Sequence, residues 1–143
     1  MEQKKKVLLI DDNEVVRLMF SDIFWLHGLE ERYDLVTLGK QEEAEVLFSN
    51  PALRPNIIFM GLVMPFTKNG KVETTAEAGF SLLKRIKEDP ATKEIKVIIF
   101  SNYDEEEYRT KALELGAEMY LKKDEHMPQD LIKIIESTNN NVS

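Results

Sequence analysis

The chain predicts an α/β fold, a single doubly wound parallel sheet of five strands flanked by five helices. Two observations carry that expectation. Short apolar or β-branched runs, Val7–Ile10, Leu35–Leu38, Ile57–Met60, Val97–Phe100 and Met119–Leu121, alternate along the chain with longer amphipathic stretches. The runs are continuous rather than alternating, the pattern of strands covered on both faces. Strand–helix units in that order imply right-handed crossovers, which distribute the helices over the two faces of the sheet.

Each helix has its own signal. The first is expected from about Asn13 to His27, with Val16, Met19, Phe20, Ile23 and Leu26 at helical spacing and Gly28 as a left-handed stop. Within it Phe24 and Trp25 are adjacent and cannot share a face, so one packs and the other is partly exposed, a hint of an interface. The second spans about Gln41 to Ser49 and ends before Pro51. The third covers about Ala78 to Glu88, carries Phe80, Leu83 and Ile86, and stops before Pro90. The fourth opens with the acids Asp104 to Glu107, favoured at a helix N-terminus, and closes at Gly116. The fifth starts near Pro128, a residue suited to a first helical position, and carries Leu131, Ile132 and Ile135. Residues 138–143 read as a short disordered tail.

Composition narrows the function classes. The 143 residues, 43% of them hydrophobic, suit one compact domain over residues 1–143. Zero cysteines exclude disulfides, thiolate metal sites and cysteine nucleophiles. No apolar stretch approaches the roughly 20 residues that span a bilayer, and Lys4-Lys5-Lys6 leads into too short an apolar run for a signal peptide. The expectation is a cytoplasmic protein without a membrane partner. A formal charge of −7 disfavours nucleic acid, which needs a concentrated Lys/Arg surface. His27 and His126 lack metal-ligand spacing and read as surface residues.

The chemistry-bearing residues fall at strand ends. Asp11 and Asp12 close the first apolar run, Gly61 the third, Ser101 the fourth and Lys123 the fifth. In a doubly wound sheet the ligand site lies beyond the carboxyl ends of the strands, so these residues are expected to converge on one cleft. Two carboxylates at the mouth of a buried strand call for a cation, which suggests a divalent-metal site with Lys123 as a further counter-charge.

Four ordered blocks, Leu9-Ile10-Asp11-Asp12, Pro55 through Pro65, Val97 through Ser101 and Gly116 through Lys123, resemble the response-regulator receiver domain of two-component signalling. The resemblance covers about Lys5 to Ser137 and implies a CheY-like, flavodoxin-like fold with strand order 2-1-3-4-5. In that family an acidic pair binds Mg²⁺, an aspartate after the third strand accepts phosphate from a histidine kinase, and a Ser/Thr and a Lys bind the phosphoryl oxygens. Here Asp11 and Asp12 match the pair, with Asp12 as direct ligand. Val63 matches the carbonyl ligand, Ser101 and Lys123 the phosphate-binding groups, and Tyr120 the aromatic switch. Gly61 stands where the acceptor aspartate is expected.

That departure has defined consequences. Glycine offers neither an oxygen to phosphorylate nor a carboxylate for the metal, so Mg²⁺ is expected to bind weakly through Asp11, Asp12 and the Val63 carbonyl. Gly61 fits a pseudo-receiver or a substitution of Asp in a working receiver, and both stay open. The resemblance implies a stand-alone phosphorelay protein acting by contact with a histidine kinase or another signalling protein. A homodimer through the fourth helix, fifth strand and fifth helix is a further option, with Tyr108, Lys111, Leu115 and Lys122 as contacts. A second departure is residues 66–78, a loop insertion longer than the family's usual connection. Its Asn69-Gly70 marks a turn, with a small hairpin through Lys71-Val72-Glu73, read as a surface insertion, a lid or a partner contact.

Two other classes fit the residues less well. An aspartate-based phosphatase would use Asp11 as nucleophile and Asp12 as acid, but that chemistry wants the two acids separated by one residue. A flavodoxin-like scaffold is opposed by Ser101 and Lys123, and no phosphate-cradling loop for a flavin follows the first strand.

Overall fold

The computed structural model describes residues 4–103, 105–125 and 128–140. Its elements run β1 (Lys5–Ile10), α1 (Glu14–Leu26), β2 (Tyr33–Leu38), α2 (Ala44–Ser49), β3 (Ile57–Met60), β4 (Met64–Lys68), β5 (Lys71–Thr75), α3 (Ala76–Glu88), β6 (Lys96–Ser101), α4 (Glu106–Glu114), β7 (Met119–Lys122) and α5 (Pro128–Asn140). The five-stranded sheet has the order β2-β1-β3-β6-β7 and every pairing in it is parallel. With the β4–β5 hairpin set aside, this is the expected order 2-1-3-4-5.

Alternate residues of the central strands feed two cores, which is why their apolar runs are unbroken. Leu8, Ile10, Ile58, Met60, Val97 and Ile99 face a cluster completed by Phe80, Leu83 and Ile86 of α3 and Ala112 of α4. Val7, Leu9, Ile57, Phe59, Ile98 and Phe100 face Phe20, Ile23 and Phe24 of α1 and Leu131 and Ile135 of α5. Phe20 meets Phe59 and Phe100 edge-on at ring separations of 5.2 and 5.7 Å. On α1, Phe24 is the packed member of the aromatic pair, while Trp25 is 67% exposed. No helix among the described residues is long and apolar enough to cross a membrane.

Several boundaries differ from the sequence expectation. Asn13 caps α1, its side chain accepting the N–H groups of Val15 and Val16, and Gly28 is left-handed with φ 69°. The second helical stretch is split into a 3-10 turn, Gln41–Glu43, and the short α2. Helix α3 begins at Ala76 rather than Ala78, because Thr75 is extended and ends the hairpin directly at the helix. Helix α4 begins at Glu106, after the extended Glu105, and Asp104 lies outside the described residues. Helix α5 continues to Asn140, with Thr138 buried, so the first residues of the expected tail are helical and 141–143 lie outside the described residues. His27 is exposed, and His126 is outside the described residues.

The insertion is an antiparallel hairpin about the expected turn, longer than expected, with Met64 paired to Thr75 and Lys68 to Lys71. Its turn residues Asn69 and Gly70 have φ of 54° and 78°. Positive φ at both positions is the turn whose twist matches a hairpin, and it explains the Asn-Gly pair. Residues 76–78, counted with the insertion in the sequence, belong to α3 instead.

Candidate functional site

The cleft lies at the carboxyl end of β1, β3, β6 and β7, where parallel register brings residues distant in sequence level with one another. Gly61 N–H donates to Ile10 O at 2.9 Å, and Asp11 N–H donates to Leu38 O at 2.9 Å, so both positions continue the ladder by one residue past their strands. A cavity of about 230 Å³ is lined by Asp12, Asn13, Gly61, Val63, Ser101 and Lys123, together with Thr74 of the hairpin.

Asp11 lies beneath this cavity and is 0% exposed. Its Oδ1 accepts the Asn13 N–H at 2.9 Å, its Oδ2 meets Lys123 Nζ at 2.6 Å, and its backbone carbonyl accepts from Arg17 at 2.6 Å. Asp12 is exposed. The two neighbouring acids thus differ in setting: one is a buried half of an ion pair, the other opens to the cavity.

Position 61 adjoins Asp11 and lines the same cavity as Asp12. A Cβ built on Gly61 would lie 3.7 Å from Asp11 Oδ2, and its tightest neighbour would be the Met64 thioether at 3.3 Å. The backbone there is not left-handed, so a side chain is compatible with it. The segment is seated by Gly79 of α3, where a Cβ would come within 2.5 Å of the Leu62 carbonyl oxygen. Only glycine lets the helix approach the loop so closely.

The opposite wall links the cleft to α4. Ser101, 3% exposed, accepts the Tyr103 N–H on Oγ at 3.1 Å. Tyr120, 4% exposed, donates its phenol to Tyr103 O at 2.6 Å. Burial pushes that phenol above its ordinary value, opposed in part by the nearby Ser101 hydroxyl. Arg109 of α4 stacks 5.4 Å over the Tyr120 ring. Tyr108 packs edge-on to Phe80 at 5.8 Å, and the Lys111 ammonium lies over the Phe80 ring, 4.6 Å from its centre. Of the four residues expected on a contact face, Lys111 is exposed, whereas Tyr108, Leu115 and Lys122 are half-buried.

The structure therefore brings Asp11, Asp12, Gly61, Val63, Ser101, Tyr120 and Lys123 to one end of the sheet. Sequence reasoning missed Asn13, Arg17, Thr74 and Tyr103, and Asn102, which also lines the cavity. An Asp-x-Asn spacing signals the turn that ties Asn13 to Asp11; no motif signals Arg17, which reaches back to the Asp11 carbonyl, or Tyr103, whose carbonyl accepts the phenol of the distant Tyr120. Among the described residues no three His, Cys, Asp or Glu side chains gather as a metal cluster. Of the expected donors, Asp12 and Val63 line the cavity, and the buried Asp11 Oδ2 has no hydrogen-bond partner beside its ion pair. That set fits Mg²⁺ held loosely, since the ion keeps several waters and needs few protein oxygens.

A parallel sheet of this order, with an acidic pair, a hydroxyl and a lysine at its carboxyl end, defines a receiver fold. The model of the response regulator receiver domain matches residues 7–136, and the chain belongs to that family. It is 31% identical over 119 residues to the transcriptional regulatory protein YdfI of Bacillus subtilis, covering 83% of this chain and 48% of that protein. It is 35% identical over 117 residues to the two-component response regulator ORR5 of Oryza sativa, covering 82% of this chain and 76% of that protein. The chain spans about half the length of YdfI and of the PhoB regulator of Pseudomonas aeruginosa, 48% of each. Among solved structures, a CheY-like receiver protein from Methanospirillum hungatei superimposes with a TM-score of 0.75 at 21% identity, covering 96% of each chain. The Mn²⁺-bound form of response regulator Rcp1 gives 0.69 at 21% identity, covering 96% of this chain and 93% of that one.

Proposed function

We propose that this receiver domain acts in two-component signalling through protein contact and cannot accept a phosphoryl group at position 61. The observation that carries the reading is the place of Gly61. A Cβ there would lie 3.7 Å from Asp11 Oδ2, and the position lines one cavity with Asp12, Ser101 and Lys123, where the family has its acceptor carboxylate. Mg²⁺, which family membership implies, would be held weakly by Asp11, Asp12 and the Val63 carbonyl and would supply charge neutralisation in the cleft. A cytoplasmic setting with a histidine kinase or another signalling protein as partner accords with this class.

Two surfaces favour protein contact as the output. On α1, Val15, Leu18, Trp25 and Leu26 are 72, 57, 67 and 67% exposed and fall on one side of the helix, an apolar stripe that water alone does not favour. At the other, α4, β7 and α5 meet near Tyr120, whose inward packing by Tyr103 and Arg109 needs no phosphate. The form of this face is then set by intrinsic packing, and binding of a partner or a second copy is independent of phosphodonor. The phosphatase alternative loses ground here, because a nucleophile at Asp11 would be wholly buried and held by Lys123.

The test is intact-mass measurement after incubation with acetyl phosphate and Mg²⁺. The protein with Gly61 stays unmodified there, and a phosphoryl group attached at this cleft would overturn the proposal.

A further inference from the structure

The inserted hairpin forms a two-stranded sheet of its own, apart from the five-stranded one, so β4 and β5 each keep an outer edge among the described residues. Such a ribbon is marginal in water without further strands or a covering helix. Its two edges are not equivalent. Lys68 and Lys71 flank the Asn69-Gly70 turn as its hydrogen-bonded pair, and from there hydrogen-bonded and non-hydrogen-bonded pairs alternate. Thr67–Val72 and Pro65–Thr74 are then the non-hydrogen-bonded pairs, whose backbone groups face outward. On β4 one of these outward positions is Pro65, which has no N–H to offer, and this blunts that edge. On β5 both outward positions, Val72 and Thr74, carry an N–H and a carbonyl, and both residues are exposed, Val72 at 71%.

The sequence of β5 decides what can lie against that edge. Lys71-Val72-Glu73 is self-complementary in the antiparallel sense. With a two-fold axis at Val72, the outward groups of Val72 meet those of Val72 in a second copy, and Lys71 of each copy stands opposite Glu73 of the other. Moving the axis to Glu73 sets that acid against itself, and moving it to Thr74 runs the strands into α3, which starts at Ala76. Lys71 also stands opposite Lys68 across its own hairpin, a like-charge pair that a carboxylate on the other side relieves. We propose that this chain self-associates through the β5 edge, two hairpins joining in a four-stranded antiparallel sheet centred on Val72 and closed by two Lys71–Glu73 pairs between copies. A strand this short buries less than the about 1,200 Å² of a stable complex, so the dimer is a weak one that forms at high protein concentration. It is distinct from the face of α4, β7 and α5 and independent of the residue at position 61. Because Thr74 also lines the cleft, the joined sheet holds one wall of it.

Sedimentation equilibrium of the full chain over a range of concentrations tests this, with circular dichroism as the check of folding. The unchanged protein is expected to show a monomer–dimer equilibrium. Val72→Pro removes the central outward N–H and none of the hairpin's own bonds, and is expected to weaken dimerisation by about tenfold or more. Lys71→Glu and Glu73→Lys each set like charges opposite one another between copies, which is expected to weaken it by about tenfold, whereas the double variant Lys71→Glu, Glu73→Lys restores it. Lys71→Glu does not act by undoing the hairpin, since it turns the like-charge pair with Lys68 into an opposite-charge one. A protein that is monomeric at every concentration, a dimer undiminished by Val72→Pro, or a double variant no better than the single ones overturns the proposal. Where Val72→Pro lacks native circular dichroism, the charge exchange decides.

Discussion

Tyr120→Phe isolates one hydrogen bond between the cleft wall and the β6–α4 loop. The ring stays, with its packing and the Arg109 guanidinium 5.4 Å above it, while the 2.6 Å bond from the phenol to Tyr103 O is lost. A net intramolecular hydrogen bond contributes about 0.5–1.5 kcal/mol, and more when the abandoned acceptor stays buried. Tyr103 is 46% exposed, so water can reach its surroundings and the lower range applies. The expected loss is about 1 kcal/mol, or about 2–4 °C in Tm for a domain of this size. Tyr120→Ala removes the ring as well and should cost about 3–5 kcal/mol. Urea unfolding followed by far-UV circular dichroism reads both; Trp25 is already largely exposed and is a poor reporter of unfolding. Tyr120→Phe with unchanged stability would refute the reasoning, because the phenol would then contribute nothing to holding the loop.

Other expectations follow from single contacts. The Tyr120 phenol ordinarily titrates at 10.0 and is raised by burial, so above about pH 10 the unfolded chain ionises while the folded protein keeps its proton. The associated stability is complete below that pH and falls as pH rises through the window; absorbance titration should show one late tyrosine that Tyr120→Phe removes. Gly79→Ala should cost about 1–3 kcal/mol and shift the Leu62 segment, because its Cβ would fall 2.5 Å from Leu62 O; thermal unfolding measures it, and an unchanged Tm would contradict the packing argument. Asp12→Ala should abolish Mg²⁺ binding in calorimetry while altering stability little, since the side chain is exposed; equal affinity with and without Asp12 would defeat its assignment as a ligand.

The sheet was legible because its central strands are apolar on both faces, and Val7–Ile10 and Val97–Phe100 admit no other use in a chain of this length. Convergence of Asp12, Gly61, Ser101 and Lys123 was legible too, since parallel strands of one sheet end together. What was hidden depended on tertiary geometry. The Asn69-Gly70 turn was readable, but the reach of β4 and β5 on either side was not, because their sequences are mixed in polarity and the pairing is set by the turn. Thr74 enters the cleft wall only because that hairpin folds back over it. The early start of α3 reflects an extended Thr75 that leads straight from strand to helix. Tyr108 and Leu115 looked available on α4, yet the nearby Phe80 and the core draw them partly inside.

The central claim is that the cleft is a receiver site complete except for its acceptor. Gly61→Asp tests it most directly, because the backbone at that position accepts a side chain and only the flexible Met64 thioether, 3.3 Å from the new Cβ, must yield. The restored carboxylate would join Asp11, Asp12 and Lys123, with Mg²⁺ neutralising the clustered charge. Intact-mass spectrometry after acetyl phosphate and Mg²⁺ should find one added phosphoryl group on Gly61→Asp, absent in EDTA and absent from the unchanged protein. A folded Gly61→Asp protein that remains unmodified would contradict the account, placing the divergence of the cleft beyond its acceptor.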